Sequence, residues 1–265
     1  MSLDSEADEG IGSGGEEKAA AAPYAAGFID QGSVFGHSLV QNEVLMLSEE
    51  GEESTYFLKD NYGNATPLLE NGIAALLLGV AGQHTQSFDR HFADGVRNYL
   101  LKLSSNDFGM DLVSVSVQRG RDHGILGYNE YRAFCGTEKL KDWDSRPEEF
   151  SQKKWDIVRS LYTSDPLAIS LLSDPDDMDI YSAGFLEPPV ASDALIGRTL
   201  ACYVAEGFRR LKYGDRFFFT HAGLPNSFTP EQVQVIANRK LGDVICDNSV
   251  ATSLQPLVMR PAGAG

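Results

Sequence analysis

The sequence predicts a mainly α protein with little β. From about Pro23 onward apolar residues recur three or four positions apart, and few stretches alternate apolar with polar residues as a half-buried strand does. Capping residues, prolines and glycines also divide the chain into helix-sized segments. With 265 residues and 42% hydrophobic content, the chain can bury a sizeable core.

The elements follow in order. Residues 1–22 hold six acids, Asp4, Glu6, Asp8, Glu9, Glu16 and Glu17, against one base, Lys18. Such a segment cannot bury enough apolar surface to order itself, so a disordered acidic leader is expected there and a folded domain over 23–265. The start of the chain shows no basic stretch followed by an apolar one, hence no secretory signal pattern. Phe35-Gly36-His37-Ser38-Leu39-Val40 opens a segment in which His37, Val40, Val44 and Leu47 fall on one helical face. A histidine on such a face is a candidate iron ligand, because neutral imidazole in a dry pocket binds metal well. On spacing alone the pattern more often marks a histidine satisfied inside a core.

The most apolar run, residues 72–82, is far too short to span a bilayer. His84 and His91 could share a face only if one helix ran through Gly82, Gln83 and Thr85, so two exposed histidines are expected. Across residues 91–103, Phe92, Val96, Leu100 and Leu103 form a helical stripe that Ser104-Ser105-Asn106-Asp107 stops. Ser145-Arg146-Pro147-Glu148 has capping-box spacing and predicts a helix burying Phe150, Trp155, Val158 and Leu161. Ser173-Asp174-Pro175-Asp176-Asp177 lacks the glycine and terminal glutamate of an EF-hand and reads as a solvated turn, and Glu187-Pro188-Pro189 reads as another loop. Ile196, Leu200, Val204, Phe208 and Leu211 mark a long helix ending near Gly214. Thr229, Pro230 and Gln232 start one more, with Val233 and Ile236 facing inward.

A formal charge of −16 excludes nucleic acid and anionic membranes as expected partners, since those surfaces attract Lys and Arg. Three cysteines leave at least one without an internal partner. Asn64-Ala65-Thr66 is a permissive N-glycosylation pattern. His123 falls in an expected turn between Asp122 and Gly124, and His221 shares a polar loop with Gly223 and Pro225. No C-x-x-C pair, phosphate-binding glycine loop or Ser/His/Asp arrangement stands out.

One stretch, residues 109–135, is more specific. Asp111-Leu112, Gln118-Arg119-Gly120-Arg121-Asp122-His123-Gly124, Gly127-Tyr128-Asn129-Glu130-Tyr131-Arg132 and Cys135-Gly136 form a nearly gapless run. Asp179-Ile180, Gly184, Glu187-Pro188, Gly197, Thr199, Cys202, Leu211, Gly214-Asp215-Arg216-Phe217 and Ile245-Cys246-Asp247-Asn248 follow it. In order and spacing these resemble the C-terminal, proximal half of the animal haem peroxidases, the family that includes myeloperoxidase, peroxidasin and the insect chorion enzymes.

The resemblance implies the helical fold of that family and a haem cofactor. It places His37 as the proximal iron ligand, Arg119 against a haem propionate and, if their segment is helical, Leu112 and Val115 along the haem face. It pairs Cys135 with Cys202 and so implies an extracellular, oxidising compartment. Cys246 resembles one member of another bridge. Ser116 stands where the family usually has an asparagine that accepts the proximal histidine's second N–H. Serine is a shorter and weaker acceptor, which predicts a higher Fe(III)/Fe(II) potential. Val34 stands where another haem-side arginine is common.

The family's distal histidine and arginine, its calcium loop and the carboxylates that tie haem to protein belong to an N-terminal half that this sequence is expected to lack. No catalytic residue is therefore assigned. The implied function is oxidoreductase chemistry: reduction of hydrogen peroxide with oxidation of an organic or halide donor, in an incomplete domain. The second reading is a non-catalytic secreted relative acting as an interaction or matrix module, which the absent distal residues, Val34 and Ser116 would suit.

Overall fold

The computed structural model describes residues 32–103, 105–163, 174–251, 253–255 and 257–259. The expected acidic leader, 1–22, lies outside them. Among the described residues there are nine α-helices and one two-stranded antiparallel sheet. We number the helices α1 (Thr66–Gly82), α2 (Asp94–Arg97), α3 (Leu112–Asp122), α4 (Tyr128–Phe134), α5 (Gln152–Thr163), α6 (Ile180–Gly184), α7 (Arg198–Gly214), α8 (Pro230–Asn238) and α9 (Leu241–Asn248), and the strands β1 (Glu43–Leu47) and β2 (Glu53–Phe57). The mainly α expectation holds. No helix among the described residues is long and apolar enough to cross a membrane.

Four local expectations are corrected. His37 lies in a 3₁₀ segment, Gly32–Leu39, and not on an α-helical face shared with Val44 and Leu47. Those two residues belong to β1, whose unbroken apolar run has no period that separates helix from strand. The strand wins because Gly51, at φ 87°, turns the chain back, setting Leu45 opposite Thr55 and Val44 opposite Tyr56. The helix expected over residues 91–103 shrinks to α2. Its backbone groups are taken by the chain ahead: Gly109 N donates to Asn98 O at 2.8 Å, and Leu100 and Met110 exchange hydrogen bonds. Val96 is buried, but Leu103 is 64% exposed.

The helix expected after Ser145 begins instead at Gln152. The Asp142 carboxylate accepts from both Ser145 N and Oγ at 2.8 Å and holds that serine in a turn. Phe150, Trp155 and Val158 are buried as expected, but Tyr162 completes the inward face and Leu161 is 71% exposed. In α8 the Thr229 capping box forms, yet Val233 is only half-buried and Ile236 is exposed. In α8 the start signal fixes where the helix begins but not which face it buries.

The core lies where α4, α5, α6 and α7 meet and is largely aromatic: Tyr128, Tyr131, Phe150, Trp155 and Tyr203 are all within 2% of full burial. Full burial of one such phenylalanine contributes about 1.5–3 kcal/mol. Trp155 Nε1 donates to Trp143 O at 3.0 Å, so its polar edge is satisfied inside. A polar knot crosses this core. Glu187, 5% exposed, accepts from Thr199 N at 2.9 Å and Thr199 Oγ1 at 2.6 Å, and from the Tyr128 hydroxyl. Burial, followed by the Glu187 charge, holds the Tyr128 phenol far above its usual range. Gly197 has to be glycine here, because a Cβ would come within 2.2 Å of the Glu187 side chain.

Cys135, at the end of α4, is disulfide-bonded to Cys202 in α7, with Cα atoms 6.0 Å apart. Cys246 is a free, half-buried thiol. The hairpin packs on α1 at Gly79, where any Cβ would lie 2.1 Å from Leu45 O. These contacts carry β1, and with it the segment containing His37, onto the helical body.

Candidate functional site

Helix α3 organises the site. Asp111 caps it, accepting from Val113 N at 2.8 Å, and the helix ends at His123 before Gly124 turns the chain at φ 64°. The pair Ser116 and Gly120, four residues apart, is buried and small, so α6 can approach this face closely. Val115 and Arg119, also four apart, point another way. With Ser114, Gln118 and Asp122 they line an open hollow of about 410 Å³. Leu112 is half-buried at the helix start and does not line that hollow.

His37 and Ser116 meet through a residue that sequence reasoning did not select. The Tyr181 hydroxyl lies 3.4 Å from His37 Nδ1, and the same side chain interacts with Ser116. Tyr181 is 4% and Ser116 0% exposed, while His37 is half-buried. Burial lowers the His37 pKa below its ordinary value, and the Arg119 charge lowers it further. Burial also pushes the Tyr181 phenol up to about 12. At neutral pH the pair is therefore an uncharged imidazole beside an uncharged phenol.

Tyr181 is held from several sides. Its neighbour Asp179, which precedes α6, takes a two-pronged ion pair from Arg121 of α3 at 2.9 and 2.8 Å. Asp179 also accepts from the Tyr162 hydroxyl of α5 at 2.6 Å. The Tyr181 ring packs edge-on to Phe185 at 4.9 Å, and Phe88 and Phe92 close on Phe185 at 4.8 and 5.2 Å. His84 and His91, by contrast, are exposed and share no helix.

The arrangement brings His37, Ser116 and Arg119 into one neighbourhood, with Val115 beside Arg119. A neutral imidazole with one ring nitrogen engaged by a hydroxyl offers the other nitrogen to a metal, and a nearby guanidinium suits a carboxylate such as a propionate. This donor set fits haem. Among the described residues no three His, Cys, Asp or Glu side chains converge as a metal cage. Nothing in the spacing of the sequence places residue 181 against residue 37, 144 positions away; the only trace was the ordered Asp179-Ile180 step just before it.

A sequence model of the animal haem peroxidases matches residues 21–259. The chain belongs to that family. It is 31% identical over 218 residues to a chorion peroxidase of Aedes aegypti, a match covering 81% of this chain and 25% of the relative. It is 30% identical over 227 residues to a peroxidase of Drosophila melanogaster, covering 84% and 31%. Among solved structures, peroxidase A from Dictyostelium discoideum superimposes with a TM-score of 0.63 at 26% identity, covering 88% of this chain and 42% of that one. This haem peroxidase chain thus spans between a quarter and a third of the length of those two curated relatives, and its helical body is the peroxidase fold.

Proposed function

We propose that this chain is the proximal part of a haem peroxidase, an oxidoreductase that reduces hydrogen peroxide while oxidising an organic or halide donor. Residues 23–265 would form that partial domain. The observation that carries the reading is the meeting of His37 with Ser116 and Arg119, which come from two elements far apart in sequence, in a chain of this family.

His37 is the proposed iron ligand, through the ring nitrogen not turned to Tyr181. Arg119 is the proposed partner of a propionate, and Val115 and Leu112 the proposed apolar flank. Haem bound there supplies the redox chemistry; the protein holds the imidazole neutral and aimed. Buried Ser116 and Tyr181 keep water from the histidine's inner edge. No distal acid or base is assigned to this chain, and no calcium ligand. An extracellular setting is part of the proposal, supported by the Cys135–Cys202 disulfide.

The test is peroxide-dependent oxidation of guaiacol or iodide by the haemin-loaded chain, compared with free haemin. Turnover above free haemin that His37→Ala abolishes supports the enzyme. Haem uptake without such turnover favours the non-catalytic module.

A further inference from the structure

We propose that Tyr181 is the positioning residue for His37: its hydroxyl takes the imidazole's Nδ1 and so sets which ring nitrogen faces iron. The inference deepens the peroxidase reading and rests on His37 being the ligand.

The Tyr181 hydroxyl stands 3.4 Å from His37 Nδ1, and buried Ser116 is its neighbour. A phenol hydroxyl can accept from Nδ1–H. That pattern fixes the proton on Nδ1 and leaves the Nε2 lone pair for a metal. Histidine contacts of this kind are commonly long in sites without their ligand.

The link is held rigidly. Tyr181 is 4% exposed and braced by Phe185. Two positions earlier, Asp179 is clamped by Arg121 and Tyr162. Helix α3 thus supplies both Ser116, the neighbour of Tyr181, and Arg121, which anchors the element carrying it. A support fixed this way preserves ligand geometry better than one free side chain does. A neutral phenol accepts more weakly than an amide carbonyl or a carboxylate. The imidazole therefore keeps little anionic character, and ferric iron is favoured less than with either of those acceptors.

Two measurements test this. In the haem-free full chain, long-range ¹H–¹⁵N spectra read the His37 tautomer, with the signal assigned through His37→Gln. A proton on Nδ1 is expected; a proton on Nε2 overturns the proposal. In the haemin-loaded chain, Tyr181→Phe is expected to lower the iron–histidine stretching frequency, raise the Fe(III)/Fe(II) midpoint and weaken haem binding by about tenfold or more. A tenfold bias between the two oxidation states corresponds to about 59 mV. An unchanged stretch and midpoint in Tyr181→Phe, with the histidine-bound spectrum lost in His37→Ala, overturns the role of Tyr181 and leaves the ligand reading standing. A spectrum that His37→Ala does not alter overturns the ligand reading, and the Tyr181 role with it. If Tyr181→Phe does not fold, the tautomer of the wild-type chain decides.

Discussion

Thr199 makes two of the three hydrogen bonds that hold buried Glu187, one through its backbone N–H and one through Oγ1. Thr199→Val keeps the shape and the backbone bond but leaves a buried carboxylate oxygen with only the Tyr128 hydroxyl. We expect destabilisation of about 1–3 kcal/mol by denaturant unfolding, because loss of one partner leaves desolvation uncompensated. At this scale the sequence was informative where a residue sits inside a contiguous motif. Ser116, Arg119 and Val115 share one run, so their placement on one short helix was readable. Tyr181 was not: its importance comes from a tertiary contact with a residue 144 positions away. Glu187 was read as part of a loop, and its burial follows from Thr199 and Tyr128 arriving from two different helices.

Among the elements, α7 shows a charge effect that pH can read. Arg209 and Arg210 both bond Glu206 and hold its carboxyl at about 2, against an ordinary value of 4.5. A depressed folded-state pKa stabilises above the unfolded value and loses that contribution as pH falls through the folded one. Unfolding measured between pH 4.5 and about 2 should therefore show a loss of stability on acidification that is shallower in Glu206→Gln. At pH 7 the same substitution should change stability by no more than about 1 kcal/mol, the usual range for solvent-facing pairs. Element types were legible from periodicity in α7 and from the capping box in α8. They failed where the decision was non-local: the run 44–47 became a strand because β2 was there to pair with it, and the stripe over 91–103 was cut short by bonds to residues 109 and 110.

For the whole molecule, the disulfide between Cys135 and Cys202 closes a separation of 67 residues. Constraining a loop of that size is worth about 4 kcal/mol in the chain-entropy model, so Cys202→Ser should cost about 2–5 kcal/mol in chemical denaturation. A loss near zero would mean that the aromatic core alone fixes α4 against α7. The apolar stripe predicted for α7 is buried only at its start: Leu200 is 4% exposed, but Phe208 and Leu211 are 63% and 49% exposed. A sequence pattern reports that a face is apolar and says nothing of what covers it. The fold class, by contrast, was legible throughout, because helical period and breakers recur along the chain and do not depend on one contact.

The central claim is that His37 ligates haem iron on this scaffold, and haemin titration followed by visible absorbance tests it most directly. The account predicts a sharp, shifted Soret band in the wild-type chain that His37→Ala loses and added imidazole restores. Indistinguishable spectra from the wild type and His37→Ala would contradict it.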